Sequence, residues 1–246
     1  MRYSGPPLEP VPVPVSVEAL AQGRPLVPVW QNEAGGLTFR IGGAGGGYVK
    51  WAASGSGWDP AAEVERLRWA GRFTAVPRVR GQGADEEGAW LLTDELAGTS
   101  AVTARWRAEP AVAVRALGAG LRALHERLPV AECPFSRGAG ERLERARRRG
   151  ARVPAGLSQA PPVDRLVVCH GDPCAPNTLL DESGCWSGHV DMGDLGVADR
   201  WADLAVATWS AGVNYGPGWE DALLDAYGVR PDPERTDYYR RLNAVG

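Results

Sequence analysis

LVVCHGDPCAPNTLLDESGCWSGHVDMG, Leu166 to Gly193, is the densest run of chemistry-bearing residues in the chain. Its first four residues are apolar and bounded by polar ones, which marks a buried strand. His170-Gly171-Asp172 follows at once, and Asn177 comes five residues after Asp172. TLL and GHVD read as a hairpin joined by DESG, whose Asp, Ser and Gly are turn formers. Asp191-Met192-Gly193 closes the run. A loop carboxylate, an amide at fixed spacing and a second carboxylate after a hairpin thus lie within a short stretch.

That order has a chemical reading. Phosphoryl transfer needs a carboxylate to orient the attacking hydroxyl and accept its proton. It also needs Mg2+, which prefers hard oxygen ligands and takes few of them from protein. Protein kinases use His-x-Asp-x-x-x-x-Asn, a hairpin and then Asp-x-Gly. The stretch here has the same order and the same Asp-to-Asn spacing. Asp172 is therefore the candidate catalytic base, and Asn177 and Asp191 are the candidate metal ligands, with ATP as donor. The bland alternative for Asp172 and Asn177 is a turn-capping pair. No Walker A motif occurs, which disfavours a P-loop nucleotide site.

Working upstream, the kinase plan calls for a strand lysine, a helix glutamate and a hinge after a strand. The chain has 27 Lys and Arg residues, and Lys50 is the single lysine. Arg serves wherever a generic cation is enough, so a retained lysine suggests a site needing a compact ammonium; the alternative is an accident of composition. The patterns predict strands at LVPVW (26 to 30), Leu37 to Ile41 and Tyr48 to Trp51, separated by QNEAGG and GGAGGG. Asp59 as N-cap, Pro60 at the first position and Gly71 at the end predict a helix. Its 3.6 spacing puts Pro60, Glu63, Leu67 and Ala70 on one face, with Glu65 turned to solvent. Ala89 to Thr93 reads as a further strand and DELAG as a connector. Lys50 would hold the α- and β-phosphates and pair with Glu63, whose bland alternative is an ordinary helix-surface carboxylate.

Downstream, Val114, Leu117, Leu121, Leu124 and Leu128 recur at three- and four-residue steps, which predicts a buried amphipathic helix. Residues 139 to 152 predict a charged helix whose Arg run is a solvated face, and Gln159 to Pro162 a linker. A chain of 246 residues with 44% hydrophobic and 23% charged residues is an ordinary globular composition. The net charge of -3 argues against a nucleic-acid partner. The N-terminus lacks a signal-peptide pattern, and no apolar run approaches the ~20 residues of a membrane span. A cytoplasmic monomer is expected. The spacing of Cys133, Cys169, Cys174 and Cys185 matches no zinc pattern, so reduced thiols are expected.

From about residue 30 to the C-terminus the chain resembles the aminoglycoside phosphotransferases, within the protein-kinase-like superfamily. HGDPCAPN is similar to the family's Brenner-type motif, with a Pro-Cys as in streptomycin 3''-phosphotransferases. DMGDLGVADRWADLA resembles the family's DLGRxGxADRxxDLA, and Cys133-Pro134-Phe135 its Cys-Pro-Phe. The resemblance implies an α+β, two-lobed fold. Residues 1–96 would form a nucleotide-binding lobe with a five-stranded antiparallel sheet plus a helix. Residues 97–246 would form a mainly helical catalytic and substrate-binding lobe, with ATP between the two. It further implies that Asp94 and Leu96 meet adenine through backbone groups, and that Asp203 is a buried brace for the catalytic loop. The implied activity is ATP-dependent phosphorylation of an aminoglycoside hydroxyl, 3'' or 3', conferring resistance.

Three departures bear on the acceptor. Asp194 stands where the family has Arg, the segment between Cys-Pro-Phe and His-Gly-Asp is shorter, and Asn243 and Ala244 stand where relatives often carry acidic residues. Asp194 and Asn243 are the candidate acceptor contacts. The alternatives are a non-aminoglycoside acceptor, such as a peptide antibiotic, a macrolide or a sugar metabolite, and a nucleotide-binding protein with little catalysis.

Overall fold

A computed structural model describes residues 4–245. The chain divides into two compact units. One runs up to Gly71 and takes in Pro77–Leu96; the other comprises Arg72–Val76 and the chain from Ala97 onward.

The first unit is built on one antiparallel sheet. After helix α1 (Val15–Ala21) come strands β1 (Leu26–Gln31), β2 (Leu37–Ile41) and β3 (Gly47–Ala53), helix α2 (Pro60–Ala70), and strands β4 (Val79–Ala84) and β5 (Gly88–Thr93). The spatial order is β1-β2-β3-β5-β4. Alternation along the strands sorts the two faces. Phe39, Val49 and Leu92 pair across β2, β3 and β5 and are buried in one core with Val17, Leu37 and Ile41. Lys50 pairs with Leu91 and so lies on the opposite face. Pro28 interrupts the β1 ladder, where the register shifts between Pro28 and Trp30; the sheet tolerates this because β1 is the edge strand.

The sequence pattern does not reveal α1 or β4. In β4 (VRGQGA) the two glycines mask the strand signal, and the structure gives the reason for one of them. A Cβ on Gly83 would lie 2.6 Å from the Trp90 ring on β5, so the strand makes room for the indole instead of presenting its own side chain.

The second unit is mainly helical. It contains β6 (Thr99–Ser100), α3 (Ala104–Ala108), α4 (Pro110–Arg127), α5 (Ala139–Arg148), β7 (Leu166–Cys169), β8 (Thr178–Leu180), β9 (Trp186–His189), β10 (Gly196–Asp199), α6 (Trp201–Tyr215), α7 (Glu220–Tyr227) and α8 (Pro233–Asn243). β7 pairs with β10, and β6, β8 and β9 form a small sheet. α4 is the expected apolar helix: Val114, Leu117, Leu121 and Leu124 are all buried, and Leu128 just beyond its end is buried too. The charged helix differs from expectation in two ways. α5 ends at Arg148, with Arg149 capping it and Gly150 in the left-handed region, where a helix cannot continue. Its Arg face is not wholly solvated, because Arg142 is 5% exposed. Burial, and then the charge of Arg137, lower its guanidinium pKa to about 10.

Candidate active site

Within the first unit, β3 and α2 bring Lys50 and Glu63 together. Asp59 accepts a hydrogen bond from the Ala61 amide and sets the start of α2, which turns Glu63 inward and leaves Glu65 exposed. Lys50 Nζ lies 2.6 Å from Glu63 Oε1. The Glu63 side chain is 3% exposed and that of Lys50 26%, so the pair is shielded from salt but its ammonium end still meets solvent. A carboxylate this buried requires its counter-charge. The strand that follows ends at Thr93, and Asp94 is held by backbone and side chain. Its amide donates to the Arg78 carbonyl, and its carboxylate accepts from Arg78 Nε at 2.6 Å. Among the described residues the amide and carbonyl of Leu96 have no partner within the chain.

Within the second unit, β7 delivers His170-Gly171-Asp172. The root of this loop is anchored on Asp203 in α6. Asp203 Oδ2 accepts from the His170 amide at 2.6 Å and from His125 Nε2 at 3.0 Å, and Oδ1 accepts from the Gly171 amide at 3.0 Å. His125 Nδ1 in turn meets the Tyr227 hydroxyl at 2.8 Å. Asp203 is fully buried, which alone would raise its pKa. The His125 hydrogen bond, the nearby imidazoles and the Gly171 amide outweigh this and hold the carboxyl below its usual range. His125, Cys169 and Asp203 form the one group of three potential metal ligands among the described residues. Its Asp203 oxygens are already taken by these donors, and burial pushes the Cys169 thiol far up, so it reads as a brace and not a metal centre.

At the mouth of the loop stands Asp172, open to solvent on one side. Asn177 Nδ2 donates to the Asp172 carbonyl at 3.0 Å and to Oδ2 at 3.1 Å. The Cys174 thiol donates to the same Oδ2 at 3.6 Å. These donors orient the carboxylate through Oδ2. Lost hydration on its protein-facing sides is the largest influence, and together with Asp191 it raises the Asp172 pKa against the opposing effects of His170 and Cys174. Ser210 Oγ accepts the Ala175 amide and Ser100 Oγ donates to the Pro176 carbonyl, so α6 and β6 hold the rest of the loop.

The loop is also tied to the turn that carries Asp191. His170 Nδ1 accepts from the Asp172 amide, so its Nε2 is the protonated nitrogen and donates to the Val190 carbonyl at 3.0 Å. The Val190 amide donates to the Asn177 carbonyl at 3.0 Å. Asp191 itself has φ 65°, a left-handed conformation unusual for a non-glycine residue and typical of strained functional turns. The Asn177 amide uses its nitrogen on Asp172, which leaves its oxygen for an outside partner. That oxygen and the Asp191 carboxylate are the hard donors that Mg2+ requires, so the residues present fit the ion.

Asp194 lies on the same turn, with Oδ1 3.2 Å from Arg137 Nη1 and 4.0 Å from Arg145 Nη1. Asn243 ends α8, accepts from Arg142 Nη2 at 3.1 Å, and helps line a largely apolar hollow of about 250 Å3 with Trp209, Ala205 and Val206. Sequence reasoning missed His125, Tyr227, Ser210 and Arg137. The one available signal was that His125 is one of only three histidines in the chain and sits beside Leu124 on the buried face of the long helix.

The model of the phosphotransferase enzyme family matches residues 37–239. The chain is 35% identical to an aminoglycoside 3'-phosphotransferase of Streptomyces fradiae, over 78% of this chain and 81% of that relative. It is 33% identical to the streptomycin 3''-kinase of Streptomyces griseus, over 96% of this chain and 97% of the relative. A solved structure of the aminoglycoside phosphotransferase APH(3'')-Id from Streptomyces rimosus, in complex with ADP and streptomycin, superposes with a TM-score of 0.68 at 28% identity, over 85% of this chain and 90% of that one. An antiparallel sheet with its Lys–Glu pair, a mainly helical unit with its carboxylate loop, and relatives aligned over nearly the whole chain converge on one assignment: the chain belongs to the phosphotransferase enzyme family, among the aminoglycoside phosphotransferases.

Proposed function

We propose that the protein transfers the γ-phosphoryl group of ATP to a hydroxyl of an aminoglycoside, with the 3''-hydroxyl of streptomycin ahead of a 3'-hydroxyl, and so confers resistance as a cytoplasmic monomer. The observation that carries this reading is the oriented carboxylate at Asp172. With Oδ2 occupied by Asn177 and Cys174, Oδ1 is the oxygen that accepts the proton of the attacking hydroxyl. The raised pKa makes Asp172 a better proton acceptor than an ordinary aspartate. Asn177 and Asp191 would hold Mg2+, which would supply neutralisation of the nucleotide's phosphate charge. Lys50, steadied by Glu63, binds the α- and β-phosphates. Backbone groups at Asp94 and Leu96 meet the adenine, and the free amide and carbonyl of Leu96 support this.

Acceptor recognition is assigned to Asp194 and Asn243. Both arginines near Asp194 approach Oδ1, and its half-exposed side chain leaves Oδ2 for an acceptor ammonium or guanidinium. One observation favours a second reading. The basic α5 and the neutral Asn243 make this side less acidic than a polycationic acceptor would favour, which suits a less cationic antibiotic or sugar.

An ATP-consumption assay against streptomycin, kanamycin, neomycin, hygromycin, viomycin and a macrolide tests both, with Asp172→Ala as control. Turnover with one aminoglycoside, lost by at least about a hundredfold in the control, is expected. Turnover only with a non-aminoglycoside would select the second reading, and turnover indifferent to Asp172→Ala would sink the assignment of the base.

A further inference from the structure

Arg137 belongs to none of the groups assigned above, yet it joins two of them. Its backbone is pinned first: the Arg137 amide donates to the Val197 carbonyl at 2.9 Å and the Val197 amide to the Phe135 carbonyl at 2.8 Å, so residues 135–137 run alongside β10. From there the side chain runs inward and is only 10% exposed. Nη2 donates to the Gly171 carbonyl at 2.7 Å, and Nη1 lies 3.2 Å from Asp194 Oδ1. One guanidinium therefore grips the loop of Asp172 and the turn of Asp191 together. The two touch at the same place. Gly171 has φ +96°, and a Cβ there would lie 2.4 Å from the Asp194 carbonyl oxygen, so no other residue fits.

We infer that Arg137, paired with Asp194, is a positioning residue that sets the distance between the catalytic loop and the metal-binding turn. A planar fork supplies two donors in fixed directions from one charge, which a lysine cannot do. Burying that charge is costly unless both arms are engaged, so the arrangement is held at a single geometry. The inference rests on the roles proposed for Asp172 and Asp191, because only then does the spacing govern turnover.

The test compares Arg137→Ala, Arg137→Lys and Asp194→Asn with the unaltered chain by steady-state kinetics and by amide hydrogen exchange without nucleotide or metal. Expected are a kcat lowered about tenfold or more in Arg137→Ala and about threefold in the other two, a higher Mg2+ concentration for half-maximal rate, and little change in acceptor KM in the two Arg137 variants. Exchange should rise in peptides covering 170–172 and 192–195 and stay unchanged in α4. If Arg137→Ala fails to fold, the two milder variants are read the same way. Unchanged exchange at both segments would overturn the clamp whatever the reaction proves to be. Faster exchange there with kcat within twofold would refute its role in positioning, and a rise confined to acceptor KM in Asp194→Asn would return Asp194 to acceptor binding alone.

Discussion

The root and the mouth of the candidate catalytic loop each carry an aspartate, and their environments pull in opposite directions. Asp203 at the root is sealed from solvent, yet three donors are aimed at its carboxylate, which sits below the usual range. Asp172 at the mouth can reach solvent, yet it has fewer donors and an acidic neighbour, and its carboxyl sits above that range. Burial alone would rank them the other way. What decides the sign is whether donors are aimed at the charge. The root uses its carboxylate to stabilise the fold, and the mouth keeps its carboxylate less satisfied, which is what a proton acceptor needs.

Replacing the root should have the largest effect. In Asp203→Asn one oxygen becomes an NH2 that faces amide donors, so a stability loss of about 3 kcal/mol or more is expected in urea unfolding at pH 7. Because the folded-state pKa of Asp203 is depressed, its contribution is complete above the unfolded value and fades as pH falls through the folded one. The gap between variant and unaltered chain should therefore shrink below about pH 4. A gap that stays constant on acidification would mean the carboxylate charge is not what braces the loop.

The second effect belongs to the other unit. Lys50→Arg keeps the charge but places a broad, planar group where a 2.6 Å contact to Glu63 now fits an ammonium. Activity should fall by about tenfold or more while unfolding changes by less than about 1 kcal/mol. Full activity would reduce Lys50 to a generic cation.

The smallest effect on stability should appear at the mouth. Asp172 has a raised folded-state pKa, so ionising it costs the fold something at neutral pH and nothing below its unfolded pKa. Asp172→Asn should be inactive yet slightly more stable at pH 7, and that advantage should vanish in acid. A variant less stable than the parent would show that the mouth is also a structural site.

Much of this was legible in advance where spacing along the chain is enough. The helix at Pro60–Ala70 with its Asp59 cap, the inward Glu63 and the strand bearing Lys50 follow from local periodicity. So do the buried α4 and the strand-loop-hairpin from Leu166 onward. The pattern failed where glycine hid a strand at β4, and where Arg142 was drawn inside by tertiary packing despite a run of charges that reads as solvated.

The sequence by itself determined which groups the candidate site brings together and their order, because His170, Asp172, Asn177 and Asp191 lie within one loop-hairpin unit whose geometry is local. Only the tertiary structure decided how those groups are held. His125 meets Asp203 across 78 residues, Asp203 meets the loop amides across 33 and 32, and Arg137 meets the Gly171 carbonyl across 34. No periodicity encodes such encounters; they arise when apolar faces pack and buried polar groups must each find a partner.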